Sequence, residues 1–279
     1  MTRQEICDSV GREHANTVTR RLEKAGLPCP RLAIQLGDGF ELSEFKQVQS
    51  FPLRETFSGL HDLPELDPPR AISYGFLPWD IPVLVTPRIS LHERNPVTGR
   101  GDARNWVRLL NDTLVFAGCT RLVILTEAGS INAFIPGDLV TVRSVSTIFM
   151  RDWPMYQGEA CQPDRALSRE LALVATQASI QADVDLKMGK HVYWHGPGIE
   201  TEDDKRIIRQ LTAAELISMS VLPDLAVWAL HPDTAVLPLA LVTNGINNPF
   251  NLEHNQRHVA ESKERITPIL SKLIPLLAR

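Results

Sequence analysis

The sequence predicts a single-domain α/β fold in three layers, with a central mixed or parallel sheet flanked by helices. Three observations predict it. Short apolar runs bounded by turn residues recur along the chain, segments with helical spacing lie between them, and 43% of the 279 residues are hydrophobic, enough for a large core. Runs that are apolar throughout mark strands covered on both faces, and their alternation with helices is the α/β pattern.

In chain order, residues 1 to about 28 form an amphipathic helix with Ile6, Val10, Ala15, Val18 and Leu22 along one face. Arg31–Gly37, Ile81–Thr86, Arg121–Thr126, His191–His195, Leu216–Ser220 and Val236–Thr243 read as buried strands. Asp102–Gly118 carries Trp106, Leu109, Leu110 and Leu114 at helical spacing, and Ala166–Ala182 is a second such segment. Thr201–Ala213 opens with Thr201 and Asp204 in a capping-box arrangement. Leu252–Leu277 closes the chain as a helix, with a kink expected at Pro268. The least regular stretch, about 57–70, holds Pro64, Pro68 and Pro69 and reads as a long surface loop near an active site.

A net charge of −4 argues against a nucleic-acid partner, which requires a concentrated Lys/Arg face, but leaves room for a small anion in a locally positive pocket. Cys7, Cys29, Cys119 and Cys161 are widely spaced with no C-x-x-C pair, so neither a zinc site nor a disulfide framework is expected. No apolar leader is present, and no run approaches the roughly 20 residues of a membrane span. The expectation is a cytoplasmic protein with no membrane partner.

Three small-residue turns carry the candidate chemistry. Gly37-Asp-Gly-Phe-Glu41 follows a strand without completing a dinucleotide fingerprint, so it is either a backbone cradle for an anion or a plain strand-to-helix turn. Thr126-Glu-Ala-Gly-Ser-Ile-Asn132, followed by Pro136-Gly-Asp138, reads as a second turn at a strand end. Ligands of α/β folds bind outside the carboxyl ends of strands, which places both turns at one crevice. The third turn, Gly196-Pro-Gly-Ile-Glu-Thr201, leaves Glu200 either capping the following helix or facing that crevice, where it can accept from a ring N–H.

Two histidine pairs raise a metal reading. His191 and His195 on one strand stand roughly 13 Å apart, too far to share an ion. His254 and His258 have a plausible helical spacing, but the intervening Asn-Gln-Arg lacks the glutamate of a metalloprotease motif, and no metal is expected.

The order of these features is more specific than any one of them. The Gly-x-Gly turn is followed by Thr86-Pro-Arg-Ile-Ser-Leu-His-Glu93, the Ala-Gly-x-x-Asn turn, Gly-Pro-x-x-Glu-Thr, Ser218-Met-Ser220 and Val242-Thr-Asn244. From about Leu32 to about Ser262 this succession resembles the trimeric purine nucleoside phosphorylases, a family that includes the methylthioadenosine phosphorylases. The resemblance implies a phosphorylase-like α/β domain, a homotrimer with sites near its interfaces, and reversible phosphorolysis of a purine nucleoside to free base and ribose 1-phosphate. Phosphate is then the co-substrate, and no metal or organic cofactor takes part.

Position by position, the resemblance makes Glu200 the carboxylate on the purine N1–H side and Asn244 the amide near N7 and O6. Asn244 would stabilise the departing base, and an asparagine there implies 6-oxopurines. His258 would meet the ribose 5′-hydroxyl, while Ala128, Gly129, Ile199, Met219 and Thr243 would complete the purine and ribose pocket. Arg88 and Ser220 would hold phosphate, together with Asp38, Ser90 and the Glu127–Ala128 backbone. Here Asp38 replaces a family serine, Ser90 a histidine, Ile199 an aromatic residue, and the segment around Pro68 and Pro69 a glycine-histidine loop. Those replacements leave two alternatives open: a purine nucleoside hydrolase with Asp38, aided by Glu41, as base on water, and a non-catalytic purine-binding protein.

Overall fold

The computed structural model describes residues 3–53, 70–93, 103–155, 158–246 and 250–278, with side chains from Arg12 onward. The loop expected at 57–70, with Pro64, Pro68 and Pro69, lies outside these residues except for Arg70. The strands are β1 (Leu32–Leu36), β2 (Lys46–Pro52), β3 (Ala71–Leu77), β4 (Ile81–Pro87), β5 (Arg121–Ser130), β6 (Leu139–Ser146), β7 (Leu186–Tyr193), β8 (Leu216–Ser218) and β9 (Ala235–Asn244). The helices are α1 (Arg3–Lys24), α2 (Ala103–Phe116), α3 (Arg169–Ala182), α4 (Glu202–Thr212), α5 (Leu222–Trp228) and α6 (Leu252–Leu277).

Successive strand residues point to opposite faces, and both faces are apolar because helices cover both. Ala33, Leu84, Leu122 and Ile124 share a core with Val18 and Leu22 of α1, Trp106 and Leu110 of α2, and Leu225 and Trp228 of α5. Their neighbours Ile34, Val83, Val85, Val123 and Leu125 pack on the other face against Ala175 of α3 and Ile269 and Leu273 of α6. The sheet is mixed, one of the two types the sequence leaves open, in the order β2-β3-β4-β1-β5-β8-β7-β6-β9.

One feature goes beyond a layered sheet: β5 pairs with β9 as well as with β1 and β8. The strands β5, β8, β7, β6 and β9 therefore close on themselves as a ring, with Ala128, Val140, Val142, Leu216, Ala240 and Val242 inside. Thus β5 belongs to the open half of the sheet and to the ring at once.

Several sequence expectations are corrected. Strands β2, β3 and β6 arise where none was expected. β2 is a largely exposed, polar edge strand, β3 is a short apolar run broken by Ser73 and Gly75, and β6 ends in the mostly polar Arg143–Ser146. β7 ends at Tyr193, so His191 and His195 do not share a strand. Thr126–Ser130 is strand rather than turn. Its small residues answer to crowding, since a Cβ on Gly129 would lie 3.2 Å from Ile217 of β8. β8 stops at Ser218, short of the expected Ser220, and α5 forms where no element was expected.

Candidate active site

The parallel strands bring their carboxyl ends to one edge. Gly37 N–H donates to the Leu125 carbonyl at 2.7 Å, and Arg88 N–H donates to the Leu36 carbonyl at 2.8 Å. Asp38, Arg88 and Glu127 are thereby gathered. A Cβ at Gly37 would stand 3.0 Å from the Leu125 carbonyl oxygen, so tight backbone packing favours glycine there. The chain then continues to β2, not into a helix as the turn reading expected.

Arg88 Nη2 donates to Asp38 Oδ2 at 3.0 Å, with Arg88 mostly buried and Asp38 78% exposed. Burial pushes the Glu127 carboxyl up to about 7, opposed by the Arg88 charge and reinforced by Asp38. A third carboxylate, Asp224 at the start of α5, is buried and accepts from Gln35 Nε2 and Asn111 Nδ2, both at 2.9 Å. Burial raises its pKa, while the two amide bonds and Arg88 hold it down. Arg88 thus pairs with Asp38, and its charge also lowers the pKa values of Glu127 and Asp224. Ser90 is buried and its N–H donates to Glu93 Oε1 at 2.6 Å, with Glu93 in turn 2.7 Å from Arg70. Glu41, the candidate second base, instead meets Lys263 at 2.7 Å on the exposed side of α6.

Ser220 sits in a chain of buried hydroxyls. Its Oγ lies 2.7 Å from Thr126 Oγ1 and 2.8 Å from Ser218 Oγ, and His191 Nε2 lies 2.7 Å from Ser218 Oγ. Complete burial pushes His191 down to about 3, so its ring is neutral at physiological pH. Beyond Ser220, Val221 adopts φ 72°, ψ −61°, and Leu222 N–H donates to the Ser220 carbonyl at 2.9 Å. That is a three-residue turn of the strained hand, rare for a β-branched residue, and it folds Ser218–Ser220 against Thr126.

At the other end, a Cβ on Gly129 would stand 2.7 Å from Asn244 Oδ1 and 3.1 Å from Glu200 Oε1. Amide and carboxylate therefore converge on one bare α-carbon. Asn244 and Thr243 are buried at the end of β9, where Gly129 and Asn244 are paired across the strands. Ala128 points instead into the ring. Thr201 and Asp204 form a complete capping box on α4, so the helix is capped without Glu200. Glu200 Oε1 lies 3.5 Å from Lys205 Nζ, with the two side chains only 8% and 3% exposed. Burial raises the Glu200 pKa, with the Lys205 charge among the effects opposing it.

Gly196, at φ 68°, approaches Met219 and His92: a Cβ there would lie 2.6 Å from Met219 Sδ and 3.0 Å from His92 Nδ1. Ile199 is exposed beside this turn. His258 lies on α6 next to Val259, which packs on Gly39, and its Nδ1 is 3.8 Å from Glu261. The structure therefore sets His258 beside the first glycine turn. Sequence reasoning missed Lys205, Asp224 and His92 and weighed His191 only as a metal ligand; Lys205 is one helical turn beyond the capping residue, the signal that could have found it. Among the described residues, no group of three His, Cys, Asp or Glu side chains is placed to hold a metal. None of their helices is long and apolar enough to cross a membrane.

No protein-family model and no curated protein sequence matches the chain. Solved structures do. A schistosoma purine nucleoside phosphorylase in complex with hypoxanthine superposes with TM-score 0.77 over 96% of this chain and 98% of that one, at 19% identity. The Schistosoma mansoni enzyme in complex with inosine gives TM-score 0.77 at 20% identity, covering 94% and 95% of the two chains. Isoform 2 from Schistosoma mansoni, in complex with cytosine and ribose-1-phosphate, gives TM-score 0.74 at 16% identity over 94% and 95%. The chain has the fold of these purine nucleoside phosphorylases along nearly its whole length.

Proposed function

We propose that this chain cleaves the N-glycosidic bond of a 6-oxopurine ribonucleoside or deoxyribonucleoside, passing the sugar to phosphate. The products are free base and ribose 1-phosphate or its deoxy form, formed without a metal or organic cofactor. The observation that carries this reading is the convergence of Glu200 and Asn244 on Gly129, two residues along β5 from Glu127, whose carboxyl feels the Arg88 charge. As the C1′–N9 bond breaks, its electron pair moves into the purine. The Asn244 amide stabilises that charge at N7 while Glu200 accepts from N1–H, a gain realised mainly in the transition state. Phosphate, held by Arg88, forms the new bond at C1′. Met219 and His92 line the sugar side between the two ends. The inosine, hypoxanthine and ribose-1-phosphate complexes of the structural neighbours support the nucleoside phosphorylase part of this reading.

One observation favours a second reading. Arg88 is already paired with Asp38 and lies beside Glu127, so the acceptor end carries more negative than positive charge. Water activated by a carboxylate fits that end without displacing a partner of Arg88. Incubation with inosine, guanosine and adenosine, with and without phosphate, separates the readings. Phosphate-dependent base release with ribose 1-phosphate supports phosphorolysis. Phosphate-independent release with free ribose assigns a hydrolase, and no release overturns both. A cytoplasmic homotrimer belongs to the same proposal; sedimentation at one chain mass, 31.1 kDa, rejects the trimer.

A further inference from the structure

Lys205 stands on the first turn of α4 with its side chain only 3% exposed. Its Nζ lies 3.5 Å from Glu200 Oε1 and 3.4 Å from the Gly245 carbonyl, the residue after Asn244. An ammonium has three donors, and charge-assisted bonds normally close to about 2.7–2.9 Å. Among the described residues both partners of Lys205 are long. A buried charge held this loosely is costly unless another acceptor completes its shell.

We propose that Lys205 and Glu200 together read a lactam edge, which makes Lys205 a specificity-determining residue of the base pocket. This rests on the purine-cleaving reading above. A 6-oxopurine presents a donor, N1–H, beside an acceptor, O6. The Glu200–Lys205 pair presents the complement, an acceptor beside a donor, 3.5 Å apart. A 6-aminopurine reverses that polarity: its amino group faces the ammonium and its bare N1 faces the carboxylate. Lys205 adds a charged donor against O6 and a repulsion against a 6-amino group, so it acts on the choice of base and not on the choice of acceptor.

The test is equilibrium binding of hypoxanthine and adenine by calorimetry, which needs neither turnover nor phosphate. Wild type is expected to favour hypoxanthine by about 10- to 100-fold, the range of one charged hydrogen bond. Lys205→Met should lower that ratio by about 10-fold, weakening hypoxanthine and strengthening adenine. Lys205→Gln, which keeps a neutral donor, should retain part of the preference and serves if the methionine variant does not fold. A purely structural lysine would weaken both bases together. An unchanged ratio in a folded Lys205→Met or Lys205→Gln protein overturns the proposal and leaves the proposed function standing. Failure of wild type to bind either base overturns the purine reading itself.

Discussion

Replacing Asp38 with asparagine removes one charge from the acceptor end at nearly constant shape. Asp38 Oδ2 is 3.0 Å from Arg88 Nη2, so a phosphate that shares Nη2 stands about 4 Å from the carboxylate. Two unit charges at 4 Å interact by about 1 kcal/mol in bulk water and about 4 kcal/mol at an effective dielectric of 20. Because Asp38 is 78% exposed, the lower figure applies, and a dianion doubles it to about 2 kcal/mol. Asp38→Asn should therefore lower the phosphate KM by about 30-fold at low salt, with the released Arg88 acting in the same direction. The assay is the initial rate of inosine cleavage against phosphate concentration, with both sugar products quantified. An unchanged phosphate KM would refute the electrostatic reasoning. Loss of a phosphate-independent activity in Asp38→Asn would identify Asp38 as the base of a hydrolase.

Other outcomes follow from the same geometry. In Gly129→Ala the new methyl would stand 2.7 Å from Asn244 Oδ1 and 3.1 Å from Glu200 Oε1, so kcat/KM for inosine should fall by about 100-fold or more while far-UV circular dichroism is retained. Glu127 is lifted to about 7 by burial, above an ordinary 4.5, so the stability held by its protonated form is full below 4.5 and is lost as pH rises through 7. Glu127→Gln should match wild type near pH 5 and exceed it by about 2–3 kcal/mol at pH 8 in denaturant melts. Arg108 is buried, 2.7 Å from Asp112 Oδ2 and 2.9 Å from Glu159 Oε1. Arg108→Met removes the buried cation between those carboxylates and should cost about 3–5 kcal/mol in urea unfolding.

What the sequence could reveal depended on how local the signal was. The parallel strands β1, β4, β5 and β9 are legible because burial on both faces makes them apolar throughout, and the Thr201–Asp204 cap because its geometry spans four residues. Glu200, Asn244 and Arg88 are legible through the order of their turns. β2 is not, because an exposed edge strand carries no core pattern. The ring is not legible either, since its closure depends on β5 meeting β9 across more than a hundred residues. Thr126–Ser130 misleads because small residues signal a turn by composition, whereas here they make room for Asn244 and Glu200. Lys205 and Asp224 look like ordinary helix-start charges until the packing carries them inside.

The double membership of β5 has a consequence for how the molecule can change. Glu127, near Arg88, and Gly129, between Asn244 and Glu200, are two residues apart on one extended strand and so roughly 7 Å from each other, which on the proposed reading sets the acceptor end and the base end on one element. No hinge lies between them. The remaining groups divide cleanly: Asp38 and Arg88 follow β1 and β4 of the open half, while Glu200, Lys205 and Asn244 belong to the ring side. Substitutions in the two sets share no partner, so their effects on nucleoside cleavage should sum. The choice of nucleophile and the choice of base can then be re-engineered one at a time, with the strand between them left as written.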